Sequence, residues 1–227
     1  MSFYMKKKKF MIRIYAVVFI AVTGYLYRTV SLRQELPVTV SVTEKKVAIT
    51  FDDGPNEDYT AELLKGLKER GVSATFFLLG TEVEKYPELV ERIYAEGHLI
   101  GTHSYQHVNL CNLTDEKAIE QVTKTNELIK EITGECPQFI RPPFGCWKKD
   151  LDYNTTMIEV LWDVDPKDWC TSNADCVVAR VVQSVKDGDI ILLHDASKSS
   201  VNAALQIIDQ LQKDGYQFVT VEELVLD

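Results

Sequence analysis

The feature that most constrains the fold of this chain is the alternation of short apolar runs with amphipathic segments of helical period. The apolar runs lie at residues 47–49, 74–79, 99–100, 139–140, 158–162, 189–193 and 216–220. Runs that are apolar nearly throughout are typical of parallel strands that helices cover on both faces. Seven or so strand-and-helix units therefore predict an α/β fold with a closed or nearly closed barrel.

The N-terminal part of the chain differs in character from the rest. Four lysines at residues 6–9 precede an apolar segment at residues 10–27, which predicts one membrane helix whose lysine-rich end lies inside. Its clean apolar part is short for a span, and no small-residue cleavage site follows. We expect an uncleaved signal anchor over residues 1–30, with a cleaved signal peptide as the alternative. A tether over residues 31–44 and one domain over residues 45–227 would follow.

Charge also separates the two parts of the chain. The whole chain has a net charge of −9, and residues 1–35 carry +6. The net charge of the remaining residues is therefore −15. A domain this acidic argues against nucleic acid as a partner, because the phosphate backbone would be repelled. The same charge is compatible with neutral glycans and with metal cations.

Five cysteines would meet an oxidising space if the domain is exported. Their spacing matches no Cys-x-x-Cys metal site. The sequence is consistent with one or two disulfides among loop residues, and also with free thiols. It does not show which cysteines pair.

Two adjacent carboxylates, Asp52 and Asp53, stand in the sequence TFDDGP at residues 50–55, directly after the first predicted strand. Neighbouring carboxylates repel each other unless a positive group lies beside them. The pair therefore indicates a metal ion or an arginine, although a solvated turn is the alternative for this tetrapeptide taken alone.

Two histidines in the sequence HSYQH follow the predicted strand at residues 99–101. Imidazoles four residues apart, here His103 and His107, lie on the same side of a helical turn and suit two ligands to one metal. With one aspartate they would form a three-ligand set with open positions, as in catalytic zinc sites. A pair of surface histidines is the alternative reading.

Three more polar segments follow predicted strands. The sequence RPPFG at residues 141–145 mounts Arg141 on a stiff loop, where it can pair with a carboxylate. Trp162 and Trp169 among acids suit a sugar ring or an acyl group, or simply the core. His194 ends a buried strand and is a candidate general acid. Because strand C-terminal ends form the active-site face of α/β barrels, we expect these segments to converge.

Taken together, the segments at residues 50–55, 103–107, 141–145, 165–169 and 192–195 resemble the five ordered motifs of the polysaccharide deacetylases. This family is carbohydrate esterase family four, the NodB homology domain, and the resemblance covers about residues 45–227. It implies a distorted (β/α) barrel of seven or eight units. It also implies metal-dependent removal of acetyl groups from N-acetylated sugars, or occasionally from O-acetylated ones.

The resemblance implies a role for each residue that matches a motif. The roles are the general base Asp52, the metal ligands Asp53, His103 and His107, the partner of the base Arg141, the general acid His194 and its orienting residue Asp168, the acetyl-pocket walls Trp169 and Leu192, and the Phe144 backbone N–H as an oxyanion donor. Phe144 stands where tyrosine is frequent in the family, which leaves the backbone donor in place.

From these implications we expect a hydrolase that uses a divalent metal, zinc first, with cobalt or another ion as alternatives. The expected substrate is the N-acetylglucosamine or N-acetylmuramic acid of peptidoglycan, because an anchored enzyme acts on what lies next to its membrane. Chitooligosaccharides or acetylated xylan are alternative substrates, and a catalytically inactive sugar-binding relative is the alternative of another class. We expect a monomer outside the cytoplasm that binds no nucleic acid.

Overall fold

A computed structural model describes residues 18–28, 45–148, 150, 151, 153 and 156–226, together with residues 11 and 15. Residues 18–28 form helix α1. Among the described residues, no helix is both long enough and apolar enough to cross a membrane. The predicted membrane helix within residues 1–30 thus gains no support from the structure, and much of that segment, with the tether over residues 31–44, lies outside the described residues.

From residue 45 onward the described chain forms one compact unit around a curled parallel sheet. Its strands are β1 (Lys45–Asp52), β2 (Thr75–Leu78), β3 (Leu99–Thr102), β4 (Phe139–Ile140), β5 (Ile158–Glu159), β6 (Ile190–His194) and β7 (Tyr216–Val219). The sheet has the order β5-β4-β3-β2-β1-β6, and β7 pairs with the first half of β1. The predicted α/β fold with a parallel sheet is confirmed.

Helices connect the strands, as the alternating pattern predicts. They are α2 (Thr60–Arg70), α3 (Gly80–Lys85), α4 (Pro87–Ala95), α5 (Asp115–Thr133), α6 (Ala174–Ser184), α7 (Lys198–Lys213) and α8 (Val221–Leu226). Helix α5 begins after Thr114, whose hydroxyl accepts a hydrogen bond from the Lys117 N–H and so caps the helix. The sequence pattern did not predict the two short helices α3 and α8.

The strand predicted at residues 158–162 is shorter than expected, and the difference matters for the site. After Glu159 the Val160 and Leu161 carbonyls accept hydrogen bonds from the Arg141 side chain. Val164 then forms an isolated parallel bridge with Ile191 of β6. This segment therefore spans the opening between β5 and β6, with a buried guanidinium taking the place of a strand neighbour.

Strand β1 shows how the sequence sorts its side chains between the two faces of the sheet. Alternate side chains of a strand point to opposite faces. Val47, Ile49 and Phe51 pack in the core cluster beneath the helices. Ala48 belongs to a second cluster, with Phe77, Phe139 and others. Asp52 lies on the same face as Ala48, and for this reason the strand ends with a carboxylate inside the curl of the sheet.

Candidate active site

The side chains of Asp53, His103 and His107 converge at the C-terminal edge of the sheet. Their ligand atoms all lie within 4.8 Å of one another. Each imidazole Nε2 is 3.5 Å from Asp53 Oδ1. Ligand atoms about 2.1 Å from a tetrahedral zinc ion stand roughly 3.4 Å apart. The distances from Asp53 Oδ1 to both imidazoles therefore fit one shared divalent cation.

The histidine motif reaches this arrangement without a helical turn, which corrects the sequence-based expectation. Residues 103–109 lie outside any helix or strand. Ser104 and His107 adopt left-handed backbone conformations, with φ of 65° and 53°, and Asp53 does so with φ of 72°. Non-glycine residues rarely adopt such conformations, and those that do cluster at functional sites. Both imidazoles thus face Asp53 because the loop bends twice.

The His103 ring is held with its Nε2 toward Asp53. Its Nδ1 lies 2.6 Å from the Arg141 carbonyl oxygen. That oxygen can only accept, so Nδ1 carries the proton and Nε2 is free to bind. Burial lowers the pKa of His103, which favours the neutral imidazole that metals require.

Asp53 Oδ1 is buried, and within the described part of the chain it has no hydrogen-bond partner. A buried carboxylate oxygen without a partner is unfavourable unless a cation or water satisfies it. The chemistry of the donor set and this orphaned oxygen both fit a bound divalent metal.

Arg141 is fully buried and forms an ion pair with Asp52. Its Nη1 donates to Asp52 Oδ1 at 2.7 Å and to Thr50 Oγ1 at 2.6 Å. Its guanidinium lies over the Phe77 ring, 4.3 Å from the centroid. The second oxygen, Asp52 Oδ2, faces His103 Nε2 at 3.8 Å and borders the ligand cluster. Sequence reasoning missed Thr50, although its place two residues before Asp52 puts it on the same strand face.

Replacing Arg141 with methionine should lower the free energy of unfolding by about 3–5 kcal/mol, because Asp52 then remains buried without its partner. Denaturant unfolding would measure the change. Arg70→Met is the matched control, since Arg70 pairs with Asp209 at the partly exposed surface and should contribute about 1 kcal/mol or less. Equal losses of unfolding free energy in the two variants would show that the buried pair contributes no more to stability than the partly exposed one.

His194 and Asp168 form a second hydrogen-bonded pair beside the cluster. His194 Nδ1 lies 2.8 Å from Asp168 Oδ1, and the His194 backbone N–H donates to Asp168 Oδ2. The bond at Nδ1 directs the opposite ring nitrogen, His194 Nε2, toward Asp53 Oδ2, which lies 3.9 Å away. Burial lowers the pKa of His194, but the hydrogen bond and the nearby carboxylates outweigh it and raise the pKa to about 9.

In the metal-free protein, Asp168→Asn should bring the pKa of His194 well below 9, because the largest effect opposing burial is removed. An NMR titration of the imidazole would show the change, with the exposed Asp163→Asn as control. Because the raised pKa belongs to the folded state, the pair stabilises the metal-free fold fully below about pH 6.5, and this stabilisation disappears as the pH rises through about 9. An unchanged pKa in Asp168→Asn would refute the pairing.

A cleft of about 470 Å³ opens above these groups. Leu192 is buried in its wall, whereas Phe144 and Trp169 are about two-thirds exposed at its rim. Trp162 and Asp165 also line the cleft. The structure thus brings all the residues that the motifs predict to one cleft, or directly behind its wall. An apolar rim beside charged groups suits a sugar with an acyl substituent.

Comparison with known proteins gives the family. Residues 39–160 match the family model described as polysaccharide deacetylase. The chain is 41% identical over 198 residues to peptidoglycan-N-acetylmuramic acid deacetylase PdaC of Bacillus subtilis, covering 87% of this chain and 42% of that protein. It is 38% identical over 210 residues to a peptidoglycan-N-acetylglucosamine deacetylase of Bacillus cereus, covering 86% and 97%. The chain thus spans about two-fifths of the length of PdaC and of PgdA of Listeria monocytogenes, which it also matches.

Solved structures show the same fold. The structure of PdaC from B. subtilis has a TM-score of 0.76 at 42% identity, covering 80% of this chain and 90% of that chain. A family 4 acetyl xylan esterase from Clostridium thermocellum, in complex with a cobalt ion, has a TM-score of 0.74 at 34% identity, covering 79% and 90%. By matched model, sequence identity and fold, this chain belongs to the polysaccharide deacetylase family, carbohydrate esterase family four.

Proposed function

We propose that this protein is a metal-dependent hydrolase that removes N-acetyl groups from the glycan of peptidoglycan. The observation that carries the proposal is the cluster of Asp53, His103 and His107, which lies open to a cleft between the Asp52–Arg141 and His194–Asp168 pairs. One acid and one imidazole beside a three-ligand metal set are the groups that amide hydrolysis needs.

Asp53, His103 and His107 would hold the metal, with zinc the first candidate and cobalt or another divalent ion the alternative. The cobalt complex of the acetyl xylan esterase relative supports a divalent ion in this fold. When bound, such an ion would lower the pKa of a water molecule and polarise the acetamide carbonyl. The spacing of the three ligand atoms and the unpartnered Asp53 Oδ1 support this assignment.

Asp52 acts as the general base in the proposed reaction. One of its oxygens is occupied by Arg141, so the other is free to take the proton of the attacking water. The Phe144 N–H, at the rim of the cleft, donates a hydrogen bond to the oxygen that becomes negative in the tetrahedral intermediate. His194 gives a proton to the leaving amine, and Asp168 keeps its Nε2 directed at the cleft. Trp169 and Leu192 surround the acetyl methyl group.

Peptidoglycan is the preferred substrate because two of the relatives described above carry that substrate in their names. The site of action would then lie outside the cytoplasm. Chitooligosaccharides are the main alternative, since a chitooligosaccharide deacetylase of Rhizobium leguminosarum is 38% identical over 159 residues. Acetylated xylan is the other alternative, from the esterase relative. Because every motif acid and histidine is present, a non-catalytic sugar-binding role is disfavoured.

Release of acetate tests the proposal. The protein should release acetate from peptidoglycan, lose this activity with a chelator and regain it with zinc or cobalt. N-acetylglucosamine oligomers and acetylated xylan, assayed in parallel, separate the alternative substrates. Absence of metal-dependent acetate release from all three would refute the proposed activity.

A further inference from the structure

The loop that carries His107 and the loop that carries Phe144 are joined by a disulfide between Cys111 and Cys146. The two Cα atoms are 5.9 Å apart, and the residues are separated by 35 positions in the sequence. Cys111 lies in a short turn, Leu110–Asn112, that follows the His107 segment. Cys146 directly follows the turn that contains Phe144. The disulfide therefore connects two loops that meet again at the rim of the cleft.

The two histidines of the ligand cluster are held in different ways. His103 is buried, and its ring is fixed by the Arg141 carbonyl. The His107 side chain is 36% exposed, and within the described part of the chain no hydrogen bond to its ring is found. Its ring instead packs against the Phe144 ring in a T-shaped arrangement, with centroids 4.9 Å apart, and against the His103 ring at 5.1 Å. Metal-binding histidines are almost always oriented by a hydrogen bond from the second ring nitrogen. Without such a bond among the described residues, the Phe144 ring is the contact outside the ligand cluster that can orient His107.

Phe144 has little to hold it in place. Its side chain is about two-thirds exposed, and both Phe144 and Gly145 have left-handed backbone conformations. A non-glycine residue keeps such a conformation only where its surroundings enforce it. Here the turn is tied by hydrogen bonds from the Gly145 and Cys146 N–H groups to the carbonyls of Pro142 and Pro143. The disulfide fixes Cys146 itself, and so closes the turn on its C-terminal side.

The Cys111 end of the disulfide is anchored to the core by the neighbouring residue. Leu110, next to Cys111, is fully buried in a small cluster with Ile140. The packing of Leu110 fastens the segment that follows His107 to the core, and the disulfide transfers this rigidity to the Phe144 turn. Farther along, Lys148, two residues after Cys146, donates to the Leu113 carbonyl at 2.6 Å and to Asp115 Oδ1 at 2.9 Å, which adds a second link between the two loops.

We propose that the Cys111–Cys146 disulfide is a positioning element of the metal site. It holds the Phe144 turn against His107, so that the exposed imidazole keeps facing Asp53. This inference rests on the proposed metal-dependent function. The remaining cysteines are free and have no part in it, and they are Cys136, Cys170 and Cys176.

The experiment measures zinc affinity in two variants of the whole chain. The reference variant replaces the three free cysteines with serine, so that no free thiol competes for zinc. The test variant adds Cys111→Ser and Cys146→Ser. Each protein is stripped of metal and titrated with zinc against a chromophoric chelator. We expect the dissociation constant to rise about tenfold or more in the test variant, as it does when a contact that orients a ligand is lost. The reference should stay within twofold of the parent chain.

An unchanged dissociation constant in a folded test variant would overturn the inference, even if its thermal midpoint fell, because the disulfide would then serve stability alone. If the test variant does not fold, the folded reference variant is reduced with a water-soluble phosphine, and its two new thiols are alkylated with iodoacetamide, which releases iodide and a proton, so that they cannot bind zinc. The phosphine becomes its oxide with oxygen from water, while the two sulfurs gain two electrons and two protons. The same tenfold weakening is expected, and unchanged affinity again overturns the inference. If the reference variant binds no zinc, the proposed function fails, and this inference falls with it.

Discussion

Replacing Asp52 with asparagine should lower kcat for acetate release by about a thousandfold, within the range of 10²–10⁴ that general base catalysis contributes. The amide keeps the shape of the side chain and an oxygen for the Arg141 hydrogen bond. It removes the basic oxygen that borders the ligand cluster. Zinc binding should persist, because Asp53, His103 and His107 are untouched. The measurement pairs a rate of acetate release with the zinc content of the same sample.

Asp163→Asn is the matched control for this variant. Asp163 is an exposed aspartate whose carboxylate accepts a hydrogen bond from the Ile190 N–H, and it lies outside the residues that line the cleft. The same chemical change should leave kcat within a few-fold of the parent value. Full activity in Asp52→Asn would show that another group takes the proton.

Replacing His103 with alanine should abolish activity by a different route, through loss of the metal. His103 is the buried histidine of the cluster, with its ring already oriented by the Arg141 carbonyl. Its loss leaves two ligands and a cavity. We expect zinc affinity to fall by more than about a hundredfold, beyond the 10–100-fold typical of losing an outer contact. Titration of the metal-free variant with zinc would measure this.

His98→Ala is the control for His103→Ala. His98 is also a buried histidine, but it precedes β3, and its Nδ1 accepts a hydrogen bond from the Ala74 N–H. Burial lowers the pKa of His98 to about 4, so it too is neutral. This variant should lose stability while retaining zinc affinity. Similar zinc affinities for the two variants would remove His103 from the metal site.

The parallel α/β fold could be predicted from the sequence because buried parallel strands are apolar almost throughout. Strand β1 shows the strength of that signal, since its alternation also places Asp52 on the inner face. The prediction of residues 158–162 as one strand was wrong beyond Glu159, because apolar content does not reveal whether a strand or a buried arginine satisfies the backbone. That distinction depends on tertiary contacts.

The convergence of the candidate site residues could be predicted from the sequence, but their local geometry could not. Polar residues directly after predicted strands indicated the C-terminal edge of the sheet, where these residues do converge. Arg141 was expected to pair with a carboxylate, and it pairs with Asp52. The helical turn expected for His103 and His107 was wrong, because left-handed conformations at Ser104 and His107 leave no signature in residue types. The pairing of Cys111 with Cys146 could not be predicted from the sequence either, because loops 35 residues apart are brought together only by the fold.

X-ray absorption at the zinc edge, on protein loaded with one equivalent of zinc, tests most directly whether Asp53, His103 and His107 bind one cation together. We predict a first shell of two imidazole nitrogens and carboxylate or water oxygens at about 2.0–2.2 Å. The signal of both imidazoles should depend on His103 and His107, and the oxygen signal should change in Asp53→Ala. Sulfur at about 2.3 Å, from one of the three free cysteines, or a shell without two imidazoles, would contradict the proposed site.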